Sequence, residues 1–514
     1  MRGDTTLSEE PASTSTPVRR DCGALLGERI VRRVDAGHAK CVLVALKALA
    51  NVKAERLTAK VMEATVLSHK RPDVAVALLL QVLEEGRPAT AAFVAAATWR
   101  CARPEALLCV FHRLMCTGRV TDAANLVLEL IRHGEAPVVA DLLISLLEEG
   151  SVEDARDIVA VLLAKGHAAE VAQQSLWMVR VERAQAVAQL RAALVQSGGL
   201  ALACDAQKAL EVLNETAAAI AFHQLVRMGH VDVAARMIIH LVDEGHVGPV
   251  CKWIEGLDRQ ECHETLLQLS ITIAKMSRSD VNAAIMGALV ESGRLDLAKH
   301  CMLDVIKRSH PWVTSAMMIE MVRLGKAKEA ARTAVQLSMD GENVAPIEAH
   351  VLMLPRGYAP EWAAIMHEVI KLGHADVTAR RTALLIKTGR PHLAMMGARA
   401  LAQTATPRAL AEVMLKMVEL GEAEAAAELL AELAKYAPTV ACDLTGHSNT
   451  AASLMLRLLD TEKVATVMII NNYIIQSGHV RAAATLASAM AARTDVQELM
   501  DTFDAAAARM LPEV

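Results

Sequence analysis

Apolar side chains recur along this chain at helical intervals and are interrupted at a fixed spacing. Val139, Leu142, Leu143, Leu146 and Leu147 follow the i, i+3, i+4, i+7, i+8 pattern of one helix face. Val120, Ala123, Val127 and Leu130 follow i, i+3, i+7, i+10. The breaks between such runs form a sixteen-residue clock. Gly86, Gly118, Gly134, Gly150, Gly166 and Gly198 are separated by multiples of sixteen. After a one-residue slip the clock resumes at Gly229, Gly245, Gly293, Gly325, Gly341, Gly357, Gly373, Gly389 and Gly421. Ticks without Gly carry other breakers, as in Lys70-Arg71-Pro72, Ala102-Arg103-Pro104, Ser309-His310-Pro311 and Ala405-Thr406-Pro407. Of 24 ticks from 70 to 437, 15 are Gly, far beyond chance placement. Gly takes the left-handed conformation that ends a helix, and Pro two residues later suits the first turn of the next. Each unit is thus one helix of about twelve or thirteen residues, roughly 20 Å long, plus a turn. Turns this short force antiparallel neighbours.

Two ticks make a hairpin, and many second helices carry one signature. Counted from the opening Gly, position +2 is apolar, +5 small, +9 apolar or small, and +12 apolar. The sets include Val120, Ala123, Val127, Leu130; Val152, Ala155, Val159, Leu162; and Val231, Ala234, Ile238, Leu241. They continue with Leu295, Ala298, Met302, Val305; Ala327, Ala330, Ala334, Leu337; and Ala423, Ala426, Leu430, Leu433. Gly37 starts the series and Gly478 repeats it. The Ala at +5 predicts close helix approach, where a larger side chain over-packs by ~1–3 kcal/mol. The register gains one residue between Gly37 and Gly86 and loses one between Gly198 and Gly229. About nine extra residues lie between Gly421 and Gly478, assigned to an insertion at Tyr436–Thr450.

Gly118-Arg119-Val120-Thr121-Asp122-Ala123 and Gly150-Ser151-Val152-Glu153-Asp154-Ala155, with Gly again at +16, resemble the second helix of pentatricopeptide-type repeats. The related tetratricopeptide repeats share the Gly and Ala positions but carry more aromatics. The period here is 32, about three residues shorter than the usual pentatricopeptide unit. The resemblance implies a helical-repeat solenoid and, in the pentatricopeptide case, RNA read by a polar side chain about ten residues before the Gly. Counting back gives Ala140, Ala219, Ala283, Ser315, Ala363, Ala411 and Met468. Six of these seven cannot hydrogen-bond a base edge.

Composition narrows the function classes. Aromatics are 2% of 514 residues, too few for stacking platforms under bases. The net charge of -5 gives no general attraction to nucleic acid or anionic membranes. The first sixty residues, with 11 Lys/Arg against 7 Asp/Glu, reverse the sign only locally. Ten scattered cysteines without a CxxC fit reduced thiols. Met1 to Pro17 is polar and lacks the apolar core of a signal peptide. No uncharged apolar run approaches the ~18–20 residues that span a bilayer.

Few chemical motifs compete. Cys109, His112 and Cys116 share a helix face, with Cys101 shortly before, and could hold zinc; the same spacing is core spacing. His38, His167, His230, His246, His374, His447 and His479 follow Gly at turns, where a His near a helix C-terminus is favourable with the dipole. His263-Glu264 begins like HExxH, but position 267 is Leu. No phosphate loop, GxGxxG or GxSxG is present. The 24 Met fit core gap-filling, as at Met302 and Met490.

The expected architecture is an all-α solenoid of about fifteen antiparallel helix-turn-helix repeats over 21–493, with a disordered tail at 1–20 and a capping helix at 494–514. The expected function is a non-enzymatic, cytoplasmic scaffold that binds a protein or peptide in its concave surface. No catalytic, cofactor or metal residues are assigned, and no membrane insertion is expected. RNA binding of the pentatricopeptide type is the alternative.

Overall fold

A computed structural model describes residues 22–435 apart from 37, 69, 102, 309, 340–351 and 405–406. The expected tail, the insertion at 436–450, the capping helix, Gly37, Gly341 and Met468 lie outside the described residues. The described residues hold twenty-five α-helices and no strand. The chain divides into two compact units, residues 1–228 and 229–514. The described residues of each form an all-α solenoid.

The sixteen-residue clock has a local cause. Most helices are 13 residues long, as in Val120–Arg132, Ala136–Glu148, Val152–Ala164 and Ala168–Arg180. Three residues join each pair. Between Val152–Ala164 and Ala168–Arg180 they are Lys165, Gly166 and His167. Gly166 has φ +85° and its N–H donates to Leu163 O at 2.9 Å, while the His167 N–H donates to Leu162 O at 3.0 Å. That pair of bonds is a Schellman motif. His167 is also the N-cap of the following helix, so one residue closes one helix and opens the next. Thirteen plus three gives the period. The same bonds recur at Gly118, Gly150, Gly245, Gly293 and Gly373. Ticks without Gly adopt the same conformation: Lys53, Lys70, Glu182, Glu261 and Ser277 are the described non-Gly residues with positive φ. Each carries the strain of a left-handed L-residue, ~1–2 kcal/mol.

Both register slips are resolved. From Lys53 to Lys70 is seventeen residues, and the helix Glu55–Glu63 runs on into a π-helical turn, Ala64–Ser68. The wider turn absorbs the added residue, and the Arg71 N–H reaches back to Thr65 O at 3.2 Å, six residues instead of five. The lost residue is at Asn214. It is at once C-cap of Leu200–Leu213 and N-cap of Glu215–Arg227, so one residue replaces the usual three-residue link. Its extended backbone (φ -162°, ψ 105°) lets Oδ1 accept from the Ala217 N–H at 2.7 Å. Other described N-caps make no side-chain cap bond. At Arg119, His167 and His230 φ and ψ are near -90° and +45° and miss the β-region geometry a cap requires.

Helices alternate between two layers, each packing on the next helix and on the next but one. In the first unit Pro88–Cys101, Val120–Arg132, Val152–Ala164, Ala184–Gln196 and Glu215–Arg227 form one row. Pro104–Cys116, Ala136–Glu148, Ala168–Arg180 and Leu200–Leu213 form the other. In the second unit Val231–Asp243, His263–Lys275, Leu295–Lys307 and Ala327–Met339 share a row with Ala359–Lys371, Pro391–Thr404 and Ala423–Lys435. The core follows the expected positions. Ala123, Ala155, Ala234, Ala298, Ala330 and Ala426, the small residues at +5, are all fully buried. They are the fourth residues of their helices, and so is Trp362, whose ring packs against Gly397 of the row neighbour; a Cβ there would come within 2.8 Å of the indole.

Candidate interaction surface

The solvent face is as regular as the core. In every described helix from Ala39–Asn51 to Ala423–Lys435 the fourth and eighth residues are buried wherever their side chains are described, and the sixth is exposed or half-buried. Sixth residues of neighbours in one row stack into a ladder. In the first unit one ladder reads Ala77, Cys109, Asp141, Gln173, Asp205, and the other Phe93, Asn125, Asp157, Gln189, Ile220. In the second unit a ladder reads Arg236, Gln268, His300, Arg332, Ala364, Met396, Glu428. Core positions repeat Ala, Leu, Val and Met, whereas the ladders vary in size, charge and hydrogen-bonding capacity from rung to rung. Asp141 sits in one of them with its carboxyl pushed up by burial, against a hydrogen bond from Trp99.

The turn edges are cross-braced. A cation or carboxylate at the N-cap position pairs with an opposite charge thirty-five residues away, at or near the C-terminal end of the helix three before it, in the opposite row. Arg278 makes two bonds to Asp243, at 2.6 and 3.0 Å, and also holds Asp280 at 2.9 Å. Its guanidinium keeps both carboxyls below their ordinary range, chiefly through the hydrogen bonds. Lys326 reaches Glu291 at 2.9 Å across Gly287, whose missing Cβ leaves the path open. Lys387–Glu422 at 2.6 Å, Arg183–Glu148 at 3.3 Å and Arg100–Glu135 repeat the spacing. Exposed pairs of this kind are individually weak; here they recur at one spacing and link the two rows along the turn edge.

The metal reading of the first-unit cysteines does not assemble. His112 turns from Cys109 toward the following hairpin, with Nε2 at 3.0 Å from Glu149 and Nδ1 at 3.5 Å from Asp154. The thiols of Cys101 and Cys109 are both pushed up, by burial first and by nearby glutamates second, which disfavours the thiolate a metal needs. Among the described residues no group of three or more His, Cys, Asp or Glu is placed to hold a metal ion. The described cysteines are free thiols.

His167, His230, His246 and His374 are N-caps of the helices they precede, and none caps with its ring. His167, His246 and His374 also close the previous helix through their backbone N–H, so the dipole they meet is as much an N-terminal as a C-terminal one. Glu264 bonds Arg308 at 2.9 Å and accepts from Gln268 at 3.2 Å, within its own surface. Ala140, Ala219, Ala283, Ser315, Ala363 and Ala411 are fifth residues and all buried. Moving the count one residue onward reaches the surface at Asp141, Ile220, Ala284, Ala316, Ala364 and Glu412. These side chains are mostly apolar, and the two polar ones repel phosphate. The described methionines are buried or half-buried where their side chains are described, Met302 fully.

Sequence reasoning missed the ladders because it followed apolar residues, and the ladder is the position where no residue type recurs. It also missed Arg191, which is buried; that position is +9 from the non-Gly tick Glu182, so no glycine marked it. No helix among the described residues is long and apolar enough to cross a membrane.

No family model matches this chain. No curated protein matches it either. Among solved structures it is similar to a circular tandem repeat protein with novel repeat topology and enhanced subunit contact surfaces. That match is 15% identical, covers 88% of this chain and 98% of the other, and has a TM-score of 0.19. It is also similar to Naa15/Naa10 bound to HypK-THB, at 13% identity, covering 94% of this chain and 80% of that one, with a TM-score of 0.15.

Proposed function

We propose that this chain is a non-enzymatic scaffold that binds a protein or peptide partner along the concave face of its helical repeats, in the cytoplasm. The observation that carries this reading is the contrast between positions four and six of each helix. The fourth is always buried where described and mostly small or aliphatic; the sixth is always at the surface and chemically different on successive rungs. A surface kept in strict geometric register, yet varied in chemistry, suits a partner that is extended along several rungs. Asn125, Asp157 and Gln189 on adjacent rungs offer amide and carboxylate groups suited to a peptide backbone. The free thiols agree with a reducing compartment. The fifth positions, buried and apart from Ser315 apolar, weigh against base reading of the pentatricopeptide kind.

The test compares captures from native lysate by the wild-type chain and by the triple variant Asn125→Ala, Asp157→Ala, Gln189→Ala, each with and without RNase. The expected result is a small set of proteins retained after RNase by the wild type and lost by the variant, with unchanged helical content and melting. Salt-sensitive RNA whose removal releases the proteins would overturn the reading.

A further inference from the structure

The eighth residue of each helix is a core position: Leu79, Phe111, Val127, Leu143 and Val159 lead up the first unit, and Phe222 closes it. Three consecutive rungs break this rule. Ser175, Arg191 and Gln207 occupy the eighth position of Ala168–Arg180, Ala184–Gln196 and Leu200–Leu213, and are 1%, 2% and 1% exposed. Gln207 is satisfied, donating to Ala218 O at 2.9 Å. Arg191 is not. Its Nη2 makes a long bond of 3.4 Å to Ser175 Oγ, and its Nε and Nη1 have no hydrogen-bond partner in the protein.

A buried guanidinium in this state is expensive. Desolvating an ion costs several kcal/mol unless a counter-charge or full hydrogen bonding replaces water. Burial lowers Arg191 to about 10, which leaves it charged at neutral pH. The one ionisable group among the described residues whose charge bears on it is Cys204, and that thiol is itself pushed up to about 12 by burial, so it stays neutral. Among the described residues no carboxylate supplies the missing charge. The local donors point one way chemically. Arg191 offers two unused N–H nitrogens, and Ser175, which accepts from Arg191, keeps its own O–H to donate.

We propose that Arg191 and Ser175 form a buried site for a small monovalent inorganic anion of the halide class, chloride being the natural occupant. The site lies between the row neighbours Ala168–Arg180 and Leu200–Leu213 and the helix Ala184–Gln196 that connects them. A halide is the fitting ligand because it is spherical, weakly hydrated, and takes N–H and O–H donors without needing a donor in return. A polyatomic oxyanion is larger and presents several acceptor oxygens, more than two nitrogens and one hydroxyl can satisfy.

The experiment follows thermal unfolding of the full chain from chloride-free methanesulfonate buffer into chloride at constant ionic strength, with bromide as a second halide. The wild type is expected to gain about 3–8 °C, saturating with chloride. Arg191→Met, which keeps volume and removes the charge, is expected to lose that response and to match or exceed the wild type in chloride-free buffer. A wild type indifferent to halide, or a variant that responds equally, overturns the site. Bromide-soaked crystals of the wild type give a readout that does not depend on the variant folding. An anomalous peak within hydrogen-bond reach of the Arg191 guanidinium supports the proposal, and its absence there overturns it.

Discussion

The stretch Ala64–Ser68 has one residue too many and the link at Asn214 has two too few, and the chain accommodates them by opposite means. The surplus is taken into the helix, where a π-helical turn widens the ladder and delivers Lys70 to its usual left-handed position. The deficit falls on the link, where Asn214 discards the Schellman motif, takes an extended backbone and becomes a side-chain cap. What is conserved in both is the phase of the next helix. Its fourth and eighth residues still reach the core, Ala75 and Leu79 after the first slip, Ala218 and Phe222 after the second. Helix phase is worth more than regular hydrogen bonding, because a phase error turns a whole apolar face to solvent. A fully buried Leu such as Leu126 or Leu142 loses about 1.5–3 kcal/mol on exposure.

Removing one residue from each kind of segment should have very unequal consequences. Deleting Asn125, a surface residue of the regular helix Val120–Arg132, should lower stability by more than about 4 kcal/mol, because it rotates everything behind it out of phase. Deleting Ala64 from the π-helical turn should cost less than about 1 kcal/mol, since the segment relaxes to an ordinary α-helical turn. Urea titrations of both variants decide it. Equal losses would mean that the π turn is required for its own sake.

Close approach of the helices at position four makes that position sensitive to size. Ala155→Phe should lose ~1–3 kcal/mol and lower the melting temperature, while Asp157→Phe, two residues away on the ladder, should move it little. An unchanged melt for Ala155→Phe would show the register to be wrong. Smaller effects separate the two kinds of link. Asn214→Ala removes the one described side-chain cap and should cost ~1 kcal/mol by chemical denaturation. Ser151→Ala, at an N-cap that makes no cap bond, should change stability by only a few tenths of a kcal/mol. The smallest expected effect is a gain: Glu182→Gly relieves a left-handed φ of 62° and should stabilise by on the order of 0.5 kcal/mol.

The clock, the helix length, the antiparallel order and the small residues at +5 were all legible in the sequence, because each is carried by a residue type with one dominant physical role. Glycine marks left-handed backbone, and alanine marks close approach. Both slips could be counted, but their form could not. Nothing in Ala-Thr-Val-Leu-Ser specifies a π turn over a longer loop, and Asn214 reads equally as a left-handed breaker or an extended cap. The ladders were illegible for the opposite reason: a position defined by variety leaves no motif. Arg191 escaped because a charged residue in a run such as Gln189-Leu190-Arg191-Ala192 is ordinarily placed on the water side. Only the phase inherited from a tick without glycine puts it in the core.

Each link both ends and begins a helix, and each brace spans thirty-five residues. These two facts set the size of the heritable change the chain can absorb. Losing or duplicating two successive rungs leaves every downstream helix in its own layer and every brace matched to a partner of the same class. Losing a single rung keeps the turns intact yet transfers all that follows to the opposite layer, opposing the wrong ends. The architecture therefore invites recombination to lengthen or shorten it by pairs, each event adding or deleting one word of the exposed surface without disturbing the grammar beneath.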